Sequence, residues 1–327
     1  MTSSIAIIGA GMAGASAARA LAAGGLHVAV FDKGRGLGGR MATRRLPDGP
    51  SFDHGAQYFT ARDPGFRHTV ASWIATGAAA PWGEPGWSVG TPGAPDPVRS
   101  LLAGLAVTTG CAVSRLRRED GRWVLEGADG ACIPGLFDAV LVTAPAPQAQ
   151  ALLGTAGAEA GAFGAALDRV RYAPCWALML AYDGEPPFPD SHRREGEPAR
   201  PIAWIARDGT KPGRGGDGAA HRQSLVVHAS PAWSRAHLES EADTVVGLLT
   251  AALRERLGSA LPAPERIGYA AAHRWRYALV EQAVEQPCLW SADLRLGVAG
   301  DGCLGGRVEA AWLSGTALAE RVIADLP

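Results

Sequence analysis

Residues 5–32 read IAIIGAGMAGASAARALAAGGLHVAVFD, and this stretch decides the fold. The apolar run 5–8 has the length of a parallel strand buried on both faces. Residues 12–23 are rich in alanine around Leu21 and predict a helix able to pack closely. The run 28–31 is a second buried strand, and Asp32 ends it. Between strand and helix stand Gly9, Gly11 and Gly14 in G-x-G-x-x-G spacing. Gly9 allows the tight turn, Gly11 lets the backbone approach a pyrophosphate, and Gly14 lets helix and strand pack. Met12 and Ala13 open the helix, where unpaired N–H groups and the positive dipole end favour phosphate. Asp32 can accept from the ribose hydroxyls of an adenosine, with Lys33 beside it. The stretch predicts a dinucleotide site.

The same glycine spacing occurs four times, at 9/11/14, 34/36/39, 213/215/218 and 300/302/305, so context must separate the copies. The copy at 213–218 sits in a polar stretch with no strand before it and predicts a flexible loop. The copy at 34–39 lies in DKGRGLGGRMATRR, 32–45. There Gly38 and Gly39 let the loop fold under an extended ligand, and Arg40 can reach a pyrophosphate in bidentate fashion. A simple nicotinamide dehydrogenase has no need of this extension. The segment resembles flavoproteins of the glutathione reductase–amine oxidase type. At the far end LGVAGD, 296–301, is a strand ending in Gly300-Asp301; in those flavoproteins the matching aspartate holds the ribityl chain of FAD. A helix beginning near Gly305, Gly306, Arg307 and Val308 would aim its N-terminal N–H groups at the flavin pyrimidine edge, where negative charge develops on reduction.

Between these ends, 63–77 predicts a helix, 111–127 a hairpin turning at Asp120-Gly121, and 137–143 a buried strand. Further strands are expected at 172–182, 201–206, 224–230 and 296–299, and helices at 240–257 and 306–325. Residues 33–51 predict loop, and the Pro- and Gly-rich 79–97 a loop or lid. Residues 183–222, polar and rich in Gly, Pro and Arg, predict a partly mobile excursion. The first and last βα units read as one sheet with the middle inserted. The predicted class is α/β: a Rossmann-like FAD-binding domain (1–62, 94–160 and 287–327) with an inserted α+β substrate domain (63–93 and 161–286), its mixed β-sheet flanked by helices.

The 327 residues suffice for roughly two domains. Apolar residues make up 47% and charged residues 19%, a globular balance. Net charge is −1, so no basic surplus recruits nucleic acid or an anionic membrane. No apolar run has the length of a membrane span. The five cysteines include no C-x-x-C pair, which points to reduced thiols. Asp53 and His54 lack a third ligand at metal spacing, so no metal is expected. No G-x-S-x-G elbow supports hydrolase chemistry. The opening MTSSIAIIGAG is not a signal peptide, and a cytoplasmic protein is expected. The sequence is silent on oligomeric state.

The chain is similar over nearly its whole length to the renalase family of FAD-dependent oxidoreductases. The carrying segments are GAGMAG (9–14), DKGRGLGGRMAT (32–43), FDHGAQYFTARDPGF (52–66), SLVVHASPAWSRAHLE (224–239), HRWRYA (273–278) and GDGCLGGRVEAAWLSG (300–315). The resemblance implies non-covalent FAD and a small-molecule substrate, a 2- or 6-dihydro isomer of NAD(P)H, oxidised to NAD(P)+ while O2 yields hydrogen peroxide. It places Ala13, Arg40, Ala56 and Gln57 on the cofactor, with Gly55 beside them, and His228 and Trp275 on the substrate side of the ring. Losing hydride makes such a donor an aromatic pyridinium, so no base is required. The protein must hold the donor carbon about 3–3.5 Å from its acceptor. Of the two lysines, Lys33 flanks the adenosine site and Lys211 lies in a Gly-rich loop. Neither looks placed for the lysine chemistry of amine oxidases. An amine (C–N) oxidase and a non-catalytic flavin-binding protein are the alternatives. For His228 and Trp275 the alternative is a purely structural role.

Overall fold

The computed structural model describes residues 2–47, 49–157, 161, 163–196, 200–214 and 222–326. Its central sheet has six strands in the order Leu289–Ser291, Leu296–Val298, Ala139–Val142, Ser4–Ile8, His27–Asp32 and Ala106–Thr109. All neighbours run parallel except the edge strand Leu289–Ser291. The glycine-turn strand therefore sits in the middle, with Ile5 opposite both Val28 and Ala139. Its apolar residues serve two cores. Ile5 and Ile7 pack with Leu21, Leu318 and Val322 on the face that carries helices Met12–Ala23 and Val308–Asp325. Ala6 and Ile8 pack with Trp123, Leu125 and Phe137 on the other face. A strand lined on both sides has no polar face, which is why 5–8 reads as an unbroken apolar run.

The expected hairpin is present as Val113–Glu119 and Arg122–Gly127, joined by Asp120 and Gly121, both with positive φ. A third strand, Cys132–Phe137, extends it.

A second sheet has five strands in the order His192–Arg194, Ile202–Arg207, Arg222–Ala229, Arg171–Asp183 and Ile267–Gln282, every neighbour antiparallel. Helix Ala242–Leu257 closes one face with Val245, Leu249 and Leu253, one residue per turn.

Three expectations for irregular chain need correction. Residues 79–97 contain strands Ala79–Pro81 and Trp87–Gly90, paired with each other and with Phe59–Thr60, and the start of helix Asp96–Leu102. Buried Trp82, Trp87 and Val89 hold this stretch despite its prolines, one of which ends a strand where no ladder bond is lost. Residues 33–51 include a short strand, Thr43–Arg45, paired with Ser51–Asp53. Within 183–222, strand His192–Arg194 and the buried side chains of Lys211 and Arg214 join the expected strand, Ile202–Arg207, in the body of the protein. Residues 197–199 and 215–221 of that stretch lie outside the described residues. The C-terminal helix starts at Val308, preceded by a separate turn of helix, Asp301–Leu304.

Candidate functional site

The glycine turn is built as its spacing demands. A Cβ on Gly14 would fall 1.9 Å from the Gly9 carbonyl oxygen, so helix and strand touch only because that atom is missing. Gly11 is different: a Cβ there would meet no protein atom within 4 Å. Nothing in the protein's own packing calls for glycine at 11. The space suits a diphosphate approaching the N-terminus of helix Met12–Ala23, which no side chain caps. Asp32 accepts from Ala10 N and Gly34 N, each at 2.6 Å, and each oxygen keeps a second acceptor position. The extended loop lies on this turn: Gly38 N donates to Ala10 O at 2.9 Å, and a Cβ on Gly39 would be 3.5 Å from Gly11 Cα. Gly9, Gly11, Asp32 and Gly39 thus meet at one turn, with Met12, Ala13 and Gly14 buried in the helix that follows. Lys33 is exposed at the strand end.

Arg40 and Asp301 meet in a bidentate ion pair, Nη1–Oδ2 and Nη2–Oδ1 both at 2.6 Å. Arg40 Nη1 also reaches the carbonyls of Tyr277 and Ala278 at 3.3 Å. Burial opposes the Arg40 charge, yet the Asp301 carboxylate outweighs it and raises the guanidinium pKa. Tyr172, beside them, is pushed up to about 12, first by burial and then by Asp301. The sequence assigned Arg40 to the diphosphate and Asp301 to the sugar chain; the fold brings the two into contact with each other.

Arg307 caps helix Val308–Asp325 with no side-chain hydrogen bond. Glu309 in its first turn is buried and accepts from Arg62 N and Asp63 N at 2.6 and 2.7 Å. This helix packs on the glycine-turn helix, and Ser16 Oγ donates to Trp312 O at 3.0 Å. Arg307 and Val308 therefore stand at the start of an element braced against the dinucleotide turn, and Gly300 caps the short helix Asp301–Leu304 before it.

The segment FDHGAQ, 52–57, is seated on Arg40. Ala56 N donates to Arg40 O at 2.9 Å, and a Cβ on Gly55 would collide with that oxygen at 1.9 Å. Trp275 Nε1 donates to His54 O at 2.8 Å, and the two rings stack at 5.4 Å between centroids. His273 meets the His54 ring edge-on at 4.8 Å. The alternation of His273, Trp275 and Tyr277 holds on strand Ile267–Gln282. Gln57 links this wall to the second sheet: its Nε2 lies 3.3 Å from His228 Nε2, and its Oε1 accepts from Trp204 Nε1 at 3.3 Å. His54 and His228 are both lowered to about 4. Burial is the main cause in each, followed by the His273 charge for His54 and the Lys211 charge for His228. Both rings are neutral at physiological pH.

Lys211 is the residue the sequence misplaced. Far from occupying a solvent loop, it is buried 2.7 Å from Asp208 Oδ1, 3.4 Å from Asp53 Oδ2 and 3.3 Å from Gln57 Oε1. Arg214 grips Asp53 from the other side at 2.5 and 3.2 Å. Burial pushes Asp53 up, but Lys211 and Arg214 together bring it below the ordinary carboxylate range. Burial leaves the Asp208 carboxyl raised. The spacing of Asp208 and Lys211, three apart on one turn, was the available local signal. Asp53 N donates to Asp208 at 2.8 Å, so this buried quartet ties the 208–214 turn to the segment that carries Gln57.

Among the described residues no group of three or more His, Cys, Asp or Glu is arranged for a metal ion, and no helix is long and apolar enough to cross a membrane.

Residues 7–73 match the NAD(P)-binding Rossmann-like domain, and residues 73–323 match the flavin containing amine oxidoreductase family. Among solved structures, the chain is similar to one assigned as a protoporphyrinogen oxidase from Exiguobacterium sp. 255-15, with 14% identity, TM-score 0.73 and 100% of both chains covered. It is also similar to cyclohexylamine oxidase from Brevibacterium oxydans (11% identity, TM-score 0.68) and to a putrescine oxidase redesigned in its cofactor binding (12%, 0.67), each covering 99% of both chains. At such identities these structures establish the shared fold. With the family match spanning residues 73–323, the chain belongs to the flavin-containing amine oxidoreductases, and its cofactor is FAD, held non-covalently.

Proposed function

We propose that this protein is a flavin oxidase of renalase type, which returns 2- and 6-dihydro isomers of NAD(P)H to NAD(P)+ and hands the electrons to O2. One dihydronicotinamide, one O2 and one proton give one NAD(P)+ and one hydrogen peroxide. Bound FAD supplies the two-electron acceptor. The glycine turn, Asp32, Gly39 and Arg40 would hold its diphosphate and adenosine, Asp301 its sugar chain, and the segment 55–57 with the start of helix Val308–Asp325 its ring system.

The observation that carries this reading is the state of the basic side chains around Gln57. His54 and His228 are neutral, and the Lys211 ammonium is committed to Asp208, Asp53 and Gln57. A donor that becomes an aromatic pyridinium on losing hydride needs no base, and the imidazoles here, held near 4, are weak ones. What the chain would contribute is orientation: His54 and Trp275 form a flat wall, and His228, half-buried at a strand end, borders it. Anaerobic mixing with 6-dihydro-NAD is expected to bleach the yellow flavin within seconds. Absorbance that persists for minutes would defeat the substrate assignment.

A second reading, amine oxidation, draws on the family match and on one observation: Lys211 is buried against Gln57. It predicts bleaching by a primary or secondary amine and none by the dihydropyridine.

A further inference from the structure

The Gln57 side chain has five neighbours, and their chemistry allows it one orientation. Its oxygen faces two groups that can only donate, the Lys211 ammonium and the Trp204 indole N–H, both at 3.3 Å. Its nitrogen faces two groups that can only accept, the carbonyls of Asp53 at 2.5 Å and Gly55 at 3.0 Å. Reversing the amide would set donor against donor twice and acceptor against acceptor twice. The fifth neighbour is His228 Nε2, 3.3 Å from the amide nitrogen. An N–H there would oppose the amide's own hydrogens, so Nε2 carries the lone pair, which shares those hydrogens with the two carbonyls, and the ring proton sits on Nδ1. The amide is thus a polarity relay with Lys211 at one end and His228 at the other.

Lys211 cannot turn away. Asp208 and Asp53 hold it, Arg214 and Thr43 hold Asp53, and all four charged side chains are buried. We propose that Lys211 is a positioning residue acting through Gln57: anchored by Asp208 and Asp53, its ammonium locks the amide so that His228 is held as the single neutral tautomer protonated on Nδ1. This rests on the hydride-transfer reading above, and it says why such a site would need the lock. The product ring gains a positive charge, and an imidazolium beside it would oppose that gain. The groups that face His228 are Lys211 from the 208–214 turn, His54 and Gln57 from the 52–57 segment, Trp204 from the neighbouring strand and uncharged Ala177 from the strand opposite.

The test uses FAD-loaded protein carrying 15N-labelled histidine, with long-range NMR correlations reporting the tautomer of each ring and His228→Asn identifying the signal. The parent should show one neutral tautomer, protonated on Nδ1, from about pH 5 to about pH 8. Asp208→Asn/Lys211→Met removes one buried charge of each sign and so avoids a lone buried ion. Gln57→Met leaves the charge quartet intact. Both should mix the two tautomers, and the double variant should also move the His228 midpoint upward from about 4. Its flavin bleaching by 6-dihydro-NAD should slow about twofold at neutral pH, the fraction of molecules left in the productive tautomer. A single unchanged tautomer in either variant overturns the proposal. Because the NMR readout needs no substrate, a failed substrate assignment leaves it standing, and a failed lock leaves the substrate test untouched.

Discussion

Arg40 and Asp301 are 261 positions apart and share two hydrogen bonds of 2.6 Å. Neither carries a second strong ion pair among the described residues, so removing one leaves the other exposed to an unfavourable, partly buried environment. Asp301→Ala is expected to cost about 1–3 kcal/mol of stability, less than a fully buried pair because Arg40 retains some solvent. It should also purify with FAD occupancy well below the parent, read from the ratio of flavin to protein absorbance. A variant as yellow and as stable as the parent would remove Asp301 from the cofactor site. Gln57 makes the complementary point. It was marked from family resemblance as a cofactor contact, and its side chain turns out to bridge Trp204, Lys211 and His228, none of which lies near it in sequence.

Helices Met12–Ala23 and Val308–Asp325 come from opposite ends of the chain and meet without intervening side chains at Gly315. A Cβ there would lie 2.1 Å from Ala13 O and 2.2 Å from Ser16 Oγ. Gly315→Ala must push the helices apart and should destabilise by about 1–3 kcal/mol, with loss of FAD because the glycine-turn helix shifts. Gly247 provides the control within helix Ala242–Leu257. It is exposed, and a Cβ would meet nothing within 4 Å. Gly247→Ala should stabilise by about 0.5–1 kcal/mol by lowering backbone entropy in the unfolded chain. Thermal melts of the two variants should move in opposite directions; a shared direction would contradict the packing described.

Across the whole molecule, the buried neutral histidines make folding depend on pH. His54 and His228 sit near 4 in the folded protein against an ordinary value of 6.5. As pH falls below 6.5 the unfolded chain binds protons first, so stability present above that value is lost progressively down to about 4. The slope is at most about 1.4 kcal/mol per pH unit for each histidine, and smaller for half-buried His228. Asp208, raised by burial, acts in the opposite sense. A difference measurement isolates one histidine: urea midpoints for the parent and His54→Phe between about pH 5 and about pH 7.5. The parent should lose more stability on acidification than the variant; equal slopes would show that His54 is not held neutral.

The amino-acid sequence alone determined the dinucleotide turn, the helix over 12–23, the hairpin at 120–121, the parallel core strands and, through the resemblance they carry, the flavin cofactor. Each of these is written in contiguous periodicity, in glycines at fixed offsets or in a strand-end aspartate, and local sterics act on neighbours along the chain. The tertiary structure decided which charges are buried. A lysine in a Gly-rich stretch reads as a solvated side chain until Asp53, 158 positions away, comes within reach of it. Burying an ion is favourable only where fixed partners replace its water, and those partners exist only once the chain has folded.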